Sequence, residues 1–381
     1  MSIEKIKLVT IVGTRPEIIR LSSIIKRLNK SKAFDHYLIH TGQNYDFELN
    51  EIFFEDLNIQ KPNKFLNLAK DSPSKTIGNI LINIDDALDE IKPDAVLVLG
   101  DTNSCLAVIS AKKKKIPIFH FEAGNRCFDQ RVPEETNRVI VDHISDINMT
   151  YSSIAREYLI REGINPDKII KIGSPMLEVI EDNISKINNS NILDELNLKK
   201  DHFFLVSCHR EENVDSIKHL KTLFESLDSL IKQYKYPIIF PVHPRTKKQI
   251  ERNNIKFDSL IQLIKPLSFS AYCRLQKDSF VVLSDSGTIF EESSILNFRA
   301  LNLRESHERP EAIEESTVLI SGLKKERIHQ GIEILKNQST GPNRNINIVY
   351  DYNVKNVSLK VERLIASYID YVNRVVWQKE F

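Results

Sequence analysis

The stretch IPIFHFEAGNRCFDQRVPEETNR, residues 116–138, joins an apolar run to a charged segment and then to a helix-like run that begins near Pro133. Residues 116–121 are predicted to form a buried strand. The charged side chains that follow directly are Glu122, Arg126, Asp129, Arg131, Glu134, Glu135 and Arg138. Because ligands bind at the carboxyl ends of strands in open α/β sheets, these residues are candidates for chemistry. A salt-bridged loop is the alternative interpretation of the same pattern.

Strands and helices alternate on both sides of this stretch. Strand-like apolar runs occur at residues 6–14, 37–42, 95–100, 147–151 and 168–173, and helical spacing occurs at residues 16–28 and 72–91. Such alternation predicts right-handed βαβ crossovers and a parallel sheet covered on both faces. Ser72 and Pro73 are predicted to cap and open the second of these helices.

The second half restarts the pattern after residues 184–201, which are rich in Asn, Lys and Ser and are predicted to be a hinge or linker. Strands are expected at residues 203–208, 237–242 and 280–283, and helices at 214–234, 290–296 and 357–376. A chain of 381 residues is long enough for two domains. We predict an α/β protein of two Rossmann-like domains with the active site in the interdomain cleft. The predicted domains are residues 1–172 with the C-terminal helix 365–381, and residues 173–364.

Composition excludes several classes of function. The net charge of +1 gives no reason to expect binding to nucleic acid or to an anionic membrane. No apolar run approaches the length of a membrane span, and the N-terminus lacks the apolar region of a signal peptide. The four cysteines are far apart and form no metal-type pair, so no metal site is expected and the chain fits a reduced, cytoplasmic setting.

Polar clusters follow the predicted strands of the first half. The turn GTRP at residues 13–16 places Arg15 at a helix N-terminus, which favours an anionic ligand; a surface arginine is the alternative. This turn is not a GxGxxG fingerprint, so no dinucleotide cofactor is expected. The clusters TGQNYD at 41–46 and GDTNS at 100–104 should lie along the same sheet edge. Asp101 is either a helix N-cap or a chemical group, and as a single residue it favours the cap.

Polar clusters also follow the predicted strands of the second half, with CHREEN at 208–213, VHPRT at 242–246, SDSG at 284–287 and RESHERPE at 304–311. His209 could be a histidine hydrogen-bonded in the core, although its charged neighbours favour a position in a cleft. The SDSG turn opens a helix and combines hydroxyl groups with a glycine, which suits a phosphate. Arginines suit a diphosphate, whereas carboxylates and a histidine suit proton transfer on an attached group.

Taken in order, GTRPEIIRL, TGQNYD, GDTNS, EAGNRCFDQRVPEETNR, GSP, CHREEN, VHPRT, SDSGTIFEES and ERPE resemble the non-hydrolysing UDP-N-acetylglucosamine 2-epimerase family over residues 9–312. The resemblance implies a glycosyltransferase-B-like fold with UDP between its two domains. It also implies that the carbon bearing the acetamido group is inverted by elimination of UDP to a 2-acetamidoglycal and re-addition. A UDP-sugar substrate and no cofactor follow from the same resemblance.

The resemblance assigns roles by motif position. The acid, base and supporting groups would be Asp101, Glu122, Glu134 and His209. The positions that contact UDP or the rest of the substrate would be Arg15, Arg20, Gln43, Arg138, His243, Ser286, Gly287, Glu292 and Arg309. Asp101 thereby moves from a predicted cap to a predicted catalytic residue. A homodimer is expected, since most soluble oligomers are symmetric.

Several motifs differ from those of the common members. Arg20 stands where a lysine is usual, and EAGNRCFDQ stands where EAGLRTG is usual. These forms resemble the branch that converts UDP-2-acetamido-2,6-dideoxy-L-talose to UDP-N-acetyl-L-fucosamine for capsule or O-antigen synthesis. A 6-deoxy sugar needs an apolar contact, for which Phe128 is the candidate. Residues 66–74 lack the arginine and glutamine expected of an allosteric UDP-N-acetylglucosamine site.

Four alternatives share parts of this pattern. Conversion of UDP-N-acetylglucosamine to UDP-N-acetylmannosamine is the alternative within the family. A glycosyltransferase of the same architecture also needs a UDP cleft and a carboxylate, but four acid–base positions in two domains favour an epimerase. A hydrolysing epimerase would release the free sugar. A binding module without catalysis predicts that Glu134→Gln changes nothing measurable.

Overall fold

A computed structural model describes residues 4–42, 47–214, 216–242, 244–305 and 307–380. The chain forms two compact units, Met1–Asp182 with Asp351–Phe381, and Asn183–Tyr350. The compact units divide at 182/183 and 350/351. The domain boundaries suggested by the sequence, at 172/173 and 364/365, stay a prediction.

Unit 1 contains a seven-stranded sheet in which every pair of neighbours is parallel. Its strands are β1 Ile6–Val12, β2 Phe34–His40, β3 Lys64–Phe65, β4 Ala95–Leu99, β5 Ile118–Phe121, β6 Ile147–Thr150 and β7 Ile169–Lys171, in the order β3-β2-β1-β4-β5-β6-β7. Successive strands are added on one side of β1 up to β3 and on the other side from β4 onward, and this switch point between β1 and β4 is the position where doubly wound sheets bind ligands. In the register, Ile11 lies beside Val98 and Leu99 beside Phe121.

The helices of unit 1 alternate with its strands along the chain. They are α1 Arg15–Lys30, α2 Phe47–Asp56, α3 Pro73–Ile91, α4 Val108–Lys113, α5 Pro133–Ile144, α6 Ser153–Arg161 and the first part of α7 Met176–Asn188, with 3₁₀ helices at Asn103–Ala107 and Pro166–Lys168. The predicted cap of α3 is confirmed, because the Ser72 hydroxyl accepts a hydrogen bond from the Lys75 backbone N–H. Pro73 occupies the first turn, where its missing N–H costs nothing.

Unit 2 contains a second sheet of six parallel strands. The strands are β8 Phe204–Ser207, β9 Ile238–Pro241, β10 Ile261–Ile264, β11 Val281–Ser284, β12 Ala300–Asn302 and β13 Leu319–Ile320, in the order β10-β9-β8-β11-β12-β13. Phe204, Phe224, Phe240 and Leu283 belong to the apolar core of this unit. The predicted pair of Rossmann-like sheets is therefore confirmed.

The remaining helices are α8 Ile192–Glu195, α9 Glu211–Val214, α10 Ile217–Tyr234, α11 Pro244–Arg252, α12 Phe269–Asp278, α13 Ile289–Leu296, α14 Pro310–Glu314, α15 Lys325–Leu335 and α16 Val357–Val375, with a 3₁₀ helix at Tyr350–Tyr352. Helix α16 returns to unit 1, where the Arg27 Nε donates to Ser358 Oγ at 2.8 Å. None of the described helices is both long and apolar enough to cross a membrane.

The predicted linker at residues 184–201 is wrong for much of its length. Helix α7 continues to Asn188, and α8 follows within the same stretch. Ile187, Ile192 and Leu193 are buried, which explains why these segments are folded despite the polar composition around them. A few apolar side chains at the right spacing outweigh the average polarity of the window.

Candidate active site

The ends of β1, β2 and β4 meet in a closely packed turn region. Thr41 Oγ1 and Ser104 Oγ are hydrogen-bonded at 2.7 Å. A Cβ at Gly13 would lie 1.8 Å from Ser104 Oγ and 2.5 Å from Thr41 Oγ1, so any larger residue there would displace this pair of hydroxyl groups. The structure thus brings together one residue from each of the three polar clusters that follow these strands, namely Gly13, Thr41 and Ser104.

Glu17 connects two of these clusters and was missed from the sequence. Its carboxylate accepts hydrogen bonds from Gly13 N at 2.9 Å, Thr14 N at 2.7 Å and Thr102 Oγ1 at 3.0 Å. Burial raises the pKa of Glu17 from 4.5 to about 7, although the hydrogen bonds from Gly13, Thr14 and Thr102 lower it in part. The signal available in the sequence was the Thr14-x-x-Glu17 spacing of a capping box.

Glu17→Gln is expected to flatten the pH dependence of stability. A carboxyl group whose pKa is raised on folding holds its proton longer in the folded state, so its contribution to stability falls as the pH rises from about 4.5 to about 7. The loss should reach about 3 kcal/mol, since one pKa unit corresponds to about 1.4 kcal/mol. Urea denaturation followed by the fluorescence of Trp377, the sole tryptophan and a residue of unit 1, measures it.

The matched control is Glu157→Gln, because Glu157 is exposed and pairs with Arg161 one helical turn further along α6. As the pH rises from 5 to 8, the free energy of unfolding of the wild type should fall relative to that of Glu17→Gln. The curves of the wild type and of Glu157→Gln should stay parallel, because both proteins keep Glu17. Parallel pH curves for wild type and Glu17→Gln would contradict the prediction.

Glu122 follows β5 and is held as a buried carboxylate. Its Oε2 lies 2.5 Å from Arg20 Nη1 and accepts a hydrogen bond from Tyr151 OH at 3.1 Å. Asn125 Nδ2 donates to Oε1 at 3.3 Å. The backbone of Glu122 is left-handed, with φ of 68°, which costs about 1 kcal/mol or more for a residue with a side chain. Strain of this kind is concentrated at functional sites.

Asp101 follows β4 and pairs with Arg138 on α5. Arg138 Nε donates a hydrogen bond to Asp101 Oδ2 at 2.8 Å, and Arg138 Nη2 lies 2.6 Å from the same oxygen. The backbone carbonyl of Asp101 accepts from Asn137 Nδ2 at 2.9 Å. The N-cap of the following 3₁₀ helix is Thr102, so the cap interpretation of Asp101 is wrong.

The remaining predicted residues of the first half are placed as follows. Glu134 lies half-buried in the first turn of α5. Arg15 is the first residue of α1, and its guanidinium carbon lies 5.6 Å from the centre of the Phe53 ring. Gln43 lies outside the described residues, as does His243 in the second half.

A buried ion network supports the loop after Glu122. Arg126 Nη1 lies 2.7 Å from Asp142 Oδ2, and the same guanidinium donates to both oxygens of Glu162 at 2.8 and 2.6 Å. His120 Nδ1 lies 2.9 Å from Asp142 Oδ1, and its Nε2 lies 2.8 Å from the Gly100 carbonyl oxygen. Burial opposes ionisation of Asp142, but His120 and then Arg126 outweigh it, so the pKa of Asp142 is lowered.

In unit 2, Asp285 has a role that its place in the SDSG turn did not predict. This fully buried carboxylate accepts from the backbone N–H groups of His209 at 3.1 Å and Arg210 at 3.0 Å, and from Asn213 Nδ2 at 3.0 Å. His209 Nδ1 lies 3.2 Å from Asp285 Oδ1, and the imidazole is 49% exposed. Burial alone would raise the pKa of Asp285, but the opposing effect of His209 and of these hydrogen bonds is larger, so the pKa is lowered overall. Asp285 therefore orients the ring of His209 with Nδ1 facing inward.

The predicted phosphate turn lies at the end of β11. Ser286 Oγ and Thr288 Oγ1 are 3.0 Å apart, and a Cβ at Gly287 would lie 2.7 Å from Glu308 Oε1. The turn leads directly into α13, whose first turn carries Glu292, a buried residue that accepts from Gln276 Nε2 at 2.5 Å. The turn combines hydroxyl groups and backbone N–H groups at a helix N-terminus, which suits an anion.

Arg309 contributes a buried positive charge to unit 2. Its side chain is fully buried, with Nη2 3.7 Å from Glu291 Oε2. The neighbouring Arg304 Nη1 donates to Glu308 Oε2 at 2.9 Å. The described residues contain no group of three His, Cys, Asp or Glu side chains that could hold a metal ion. The carboxylates and the histidine described above are groups that can transfer a proton, and the arginine and backbone N–H groups of unit 2 can bind an anion.

Comparison with known proteins identifies the relatives of this chain. A family model described as UDP-N-acetylglucosamine 2-epimerase matches residues 26–366. A protein of that name from Methanocaldococcus jannaschii is 39% identical over 347 residues, which cover 87% of this chain and 93% of the relative.

Two solved structures resemble the chain over almost its full length. The structure of UDP-N-acetylglucosamine 2-epimerase from Rickettsia bellii is 48% identical with a TM-score of 0.91 and covers 99% of this chain and all of its own. The Methanocaldococcus jannaschii enzyme in complex with UDP-GlcNAc and UDP is 36% identical with a TM-score of 0.88 and covers 95% of this chain and all of its own.

Proposed function

The chain belongs to the UDP-N-acetylglucosamine 2-epimerase family, and we propose that it converts UDP-2-acetamido-2,6-dideoxy-L-talose to UDP-N-acetyl-L-fucosamine. It is a non-hydrolysing 2-epimerase by family. The observation that carries the chemistry is the pair of carboxylates at the ends of neighbouring strands, Asp101 after β4 and Glu122 after β5, each held by an arginine.

We propose that these carboxylates, together with Glu134 and His209, move the proton at C2. A base removes that proton while the C1–O bond to UDP breaks, which gives a 2-acetamidoglycal and free UDP. UDP then adds back to C1 while an acid protonates C2 from the opposite face. The C2 proton is weakly acidic, so the base has to be positioned and the departing charge has to be stabilised. The ion pairs of Asp101 and Glu122 fix both groups in position.

We propose that unit 2 holds the UDP moiety through Ser286, Gly287, Glu292 and Arg309. The turn at Ser286 offers hydroxyl and backbone N–H groups for phosphate oxygens, and the buried guanidinium of Arg309 offsets the charge that develops as UDP leaves. Glu292 suits ribose hydroxyls as a hydrogen-bond acceptor. Arg15, Gln43 and His243 complete the proposed substrate contacts. Arg20 and Arg138 act on the substrate through Glu122 and Asp101, the carboxylates that they pair with.

Turnover in deuterated water tests the epimerase mechanism. The proton removed from C2 exchanges with solvent, so product and recovered substrate should carry deuterium at the carbon that bears the acetamido group. A glycosyltransferase would leave that carbon protonated, and a hydrolysing epimerase would release free sugar and UDP. Turnover without deuterium at C2 would exclude the proposed mechanism.

The loop at residues 125–132 is the basis for the proposed sugar. Phe128 is 69% exposed, has a left-handed backbone with φ of 56°, and packs edge-on against Tyr158 with ring centres 5.3 Å apart. An exposed aromatic ring held in this way offers an apolar surface to a methyl group, which a 6-deoxy sugar carries in place of a hydroxymethyl group. The names of the relatives support UDP-N-acetylglucosamine as the alternative substrate.

Phe128→Ala is expected to lower kcat/KM for the 6-deoxy-L-talose substrate about tenfold, since one apolar contact is worth about 1–3 kcal/mol in discrimination. The same variant should change kcat/KM for UDP-N-acetylglucosamine by no more than about twofold. Initial rates with the two UDP-sugars, measured side by side for wild type and variant, provide the comparison. Faster turnover of UDP-N-acetylglucosamine by the wild type would favour the alternative substrate.

A further inference from the structure

Glu135 lies at the centre of a set of contacts to which the mechanism above assigns no role. It is the third residue of α5, it is 2% exposed, and its side chain points back to the preceding loop. Its two oxygens accept hydrogen bonds from the backbone N–H of Cys127 at 3.2 Å and of Phe128 at 3.0 Å. The Cys127 thiol donates to Oε2 at 3.2 Å. These contacts fix the loop in which Phe128 has its left-handed backbone.

The same carboxylate holds the arginine that pairs with Asp101. Arg138 Nη1 lies 2.5 Å from Glu135 Oε2, while Nε and Nη2 of the same guanidinium reach Asp101 Oδ2 at 2.8 and 2.6 Å. A guanidinium is planar, so contacts to two carboxylates on different edges fix its orientation as well as its position. Arg138 is 3% exposed, which strengthens both interactions by excluding water.

We propose that Glu135 is a positioning residue that holds Arg138 against Asp101 and holds the Cys127 and Phe128 backbone in the same arrangement. Through Arg138 it sets the place of the catalytic carboxylate, and through the loop backbone it sets the place of the Phe128 ring. The two functions of the segment, proton transfer and sugar choice, then depend on one buried carboxylate. Burial opposes ionisation of Glu135, but the Cys127 contacts, Arg138 and the Phe128 N–H outweigh it and lower its pKa, so the group stays charged at neutral pH.

The inference rests on the proposed function, and kinetics of three variants test it. Glu135→Gln and Arg138→Lys should each lower kcat about 10- to 100-fold while the affinity for UDP stays within about twofold of wild type. The double variant should be no worse than the poorer single variant, because residues that act as one unit are not additive. Glu157→Gln, an exposed substitution of the same type on α6, should leave kcat unchanged.

A role in folding alone predicts a different result. Glu135→Gln would then lower the melting temperature but leave kcat within about threefold of wild type in the folded range, and that result would overturn the inference. Multiplicative losses in the double variant would overturn it as well. If Glu135→Gln does not fold, Arg138→Lys examines the same contact from the other partner.

Amide hydrogen exchange separates this inference from the proposed function. In Glu135→Gln the backbone N–H groups of Cys127 and Phe128 should exchange at least about tenfold faster than in wild type, whichever sugar is the substrate. Unchanged protection would overturn the inference even if the wild type epimerises both sugars. Absence of turnover by the wild type with either sugar would instead exclude the proposed function.

Discussion

Asp101→Asn is expected to lower kcat by about 10²- to 10⁴-fold, which is the usual contribution of a positioned acid or base. An asparagine amide has nearly the same shape as the carboxylate, so the hydrogen bond from Asn137 to the backbone carbonyl can remain. The amide can neither take nor deliver a proton, and its charge no longer balances Arg138. The chemical step should therefore be lost while binding of UDP is retained.

The rate of deuterium incorporation at C2 measures this effect directly, because exchange reports removal of the proton even when no net product forms. Asp89→Asn is the matched control, since Asp89 is an exposed carboxylate paired with Lys114. The control should exchange at the wild-type rate, and isothermal titration with UDP should give similar affinities for all three proteins. Exchange by Asp101→Asn within about fivefold of the wild-type rate would remove Asp101 from the mechanism.

Much of the fold could be predicted because its central strands carry a strong local signal. The strands β1, β4 and β5 are largely apolar runs of four to seven residues bounded by glycine, proline or charge, and all three were predicted. The strands β3, β12 and β13 have only two or three residues each, which is too short to show a period. They form because a neighbouring strand offers unpaired backbone groups, which is information that a local window does not contain.

The sequence named the segments of the candidate site, but it could not give the contacts between them. Glu122 and Arg20 are 102 residues apart and meet because β1, β4 and β5 are adjacent in the sheet. Asp285 was seen in the sequence only as part of a phosphate turn, although its carboxylate contacts both the ring and the backbone N–H of His209. Its role depends on β8 and β11 being paired, with Ser207 beside Ser284, and strand order is set by the whole sheet.

The local interpretation of Asp101 failed for a related reason. An aspartate before a helical turn favours an N-cap on local grounds. In the structure Thr102 takes the cap position, while the side chain of Asp101 pairs with Arg138, which lies on α5. A charge-assisted hydrogen bond to a buried guanidinium is stronger than a capping hydrogen bond of about 1 kcal/mol, so the aspartate pairs with the distant arginine and does not cap the helix.

Asp142→Asn is expected to destabilise unit 1 by about 3–5 kcal/mol, because removing one member of a buried ion network leaves the other charges uncompensated. Asp142 is fully buried between Arg126 and His120, and its oxygens also accept from the Gly124 N–H at 3.2 Å. An asparagine can keep one of these hydrogen bonds but not the charge. The loop that begins at Glu122 should then loosen before the sheet beneath it.

The effect of Asp142→Asn should depend on pH in a direction fixed by the lowered pKa of the aspartate. A carboxyl group whose pKa is lower in the folded state contributes its full stability above the unfolded value, near 3.8, and loses it as the pH falls toward the folded value. Urea denaturation followed by Trp377 fluorescence should therefore show a wide gap between wild type and variant at pH 6 and a narrower one at pH 3. Asp89→Asn should show little gap at either pH. A gap that stayed constant between pH 6 and pH 3 would mean that packing, and not the charge of Asp142, supports the loop of the candidate active site.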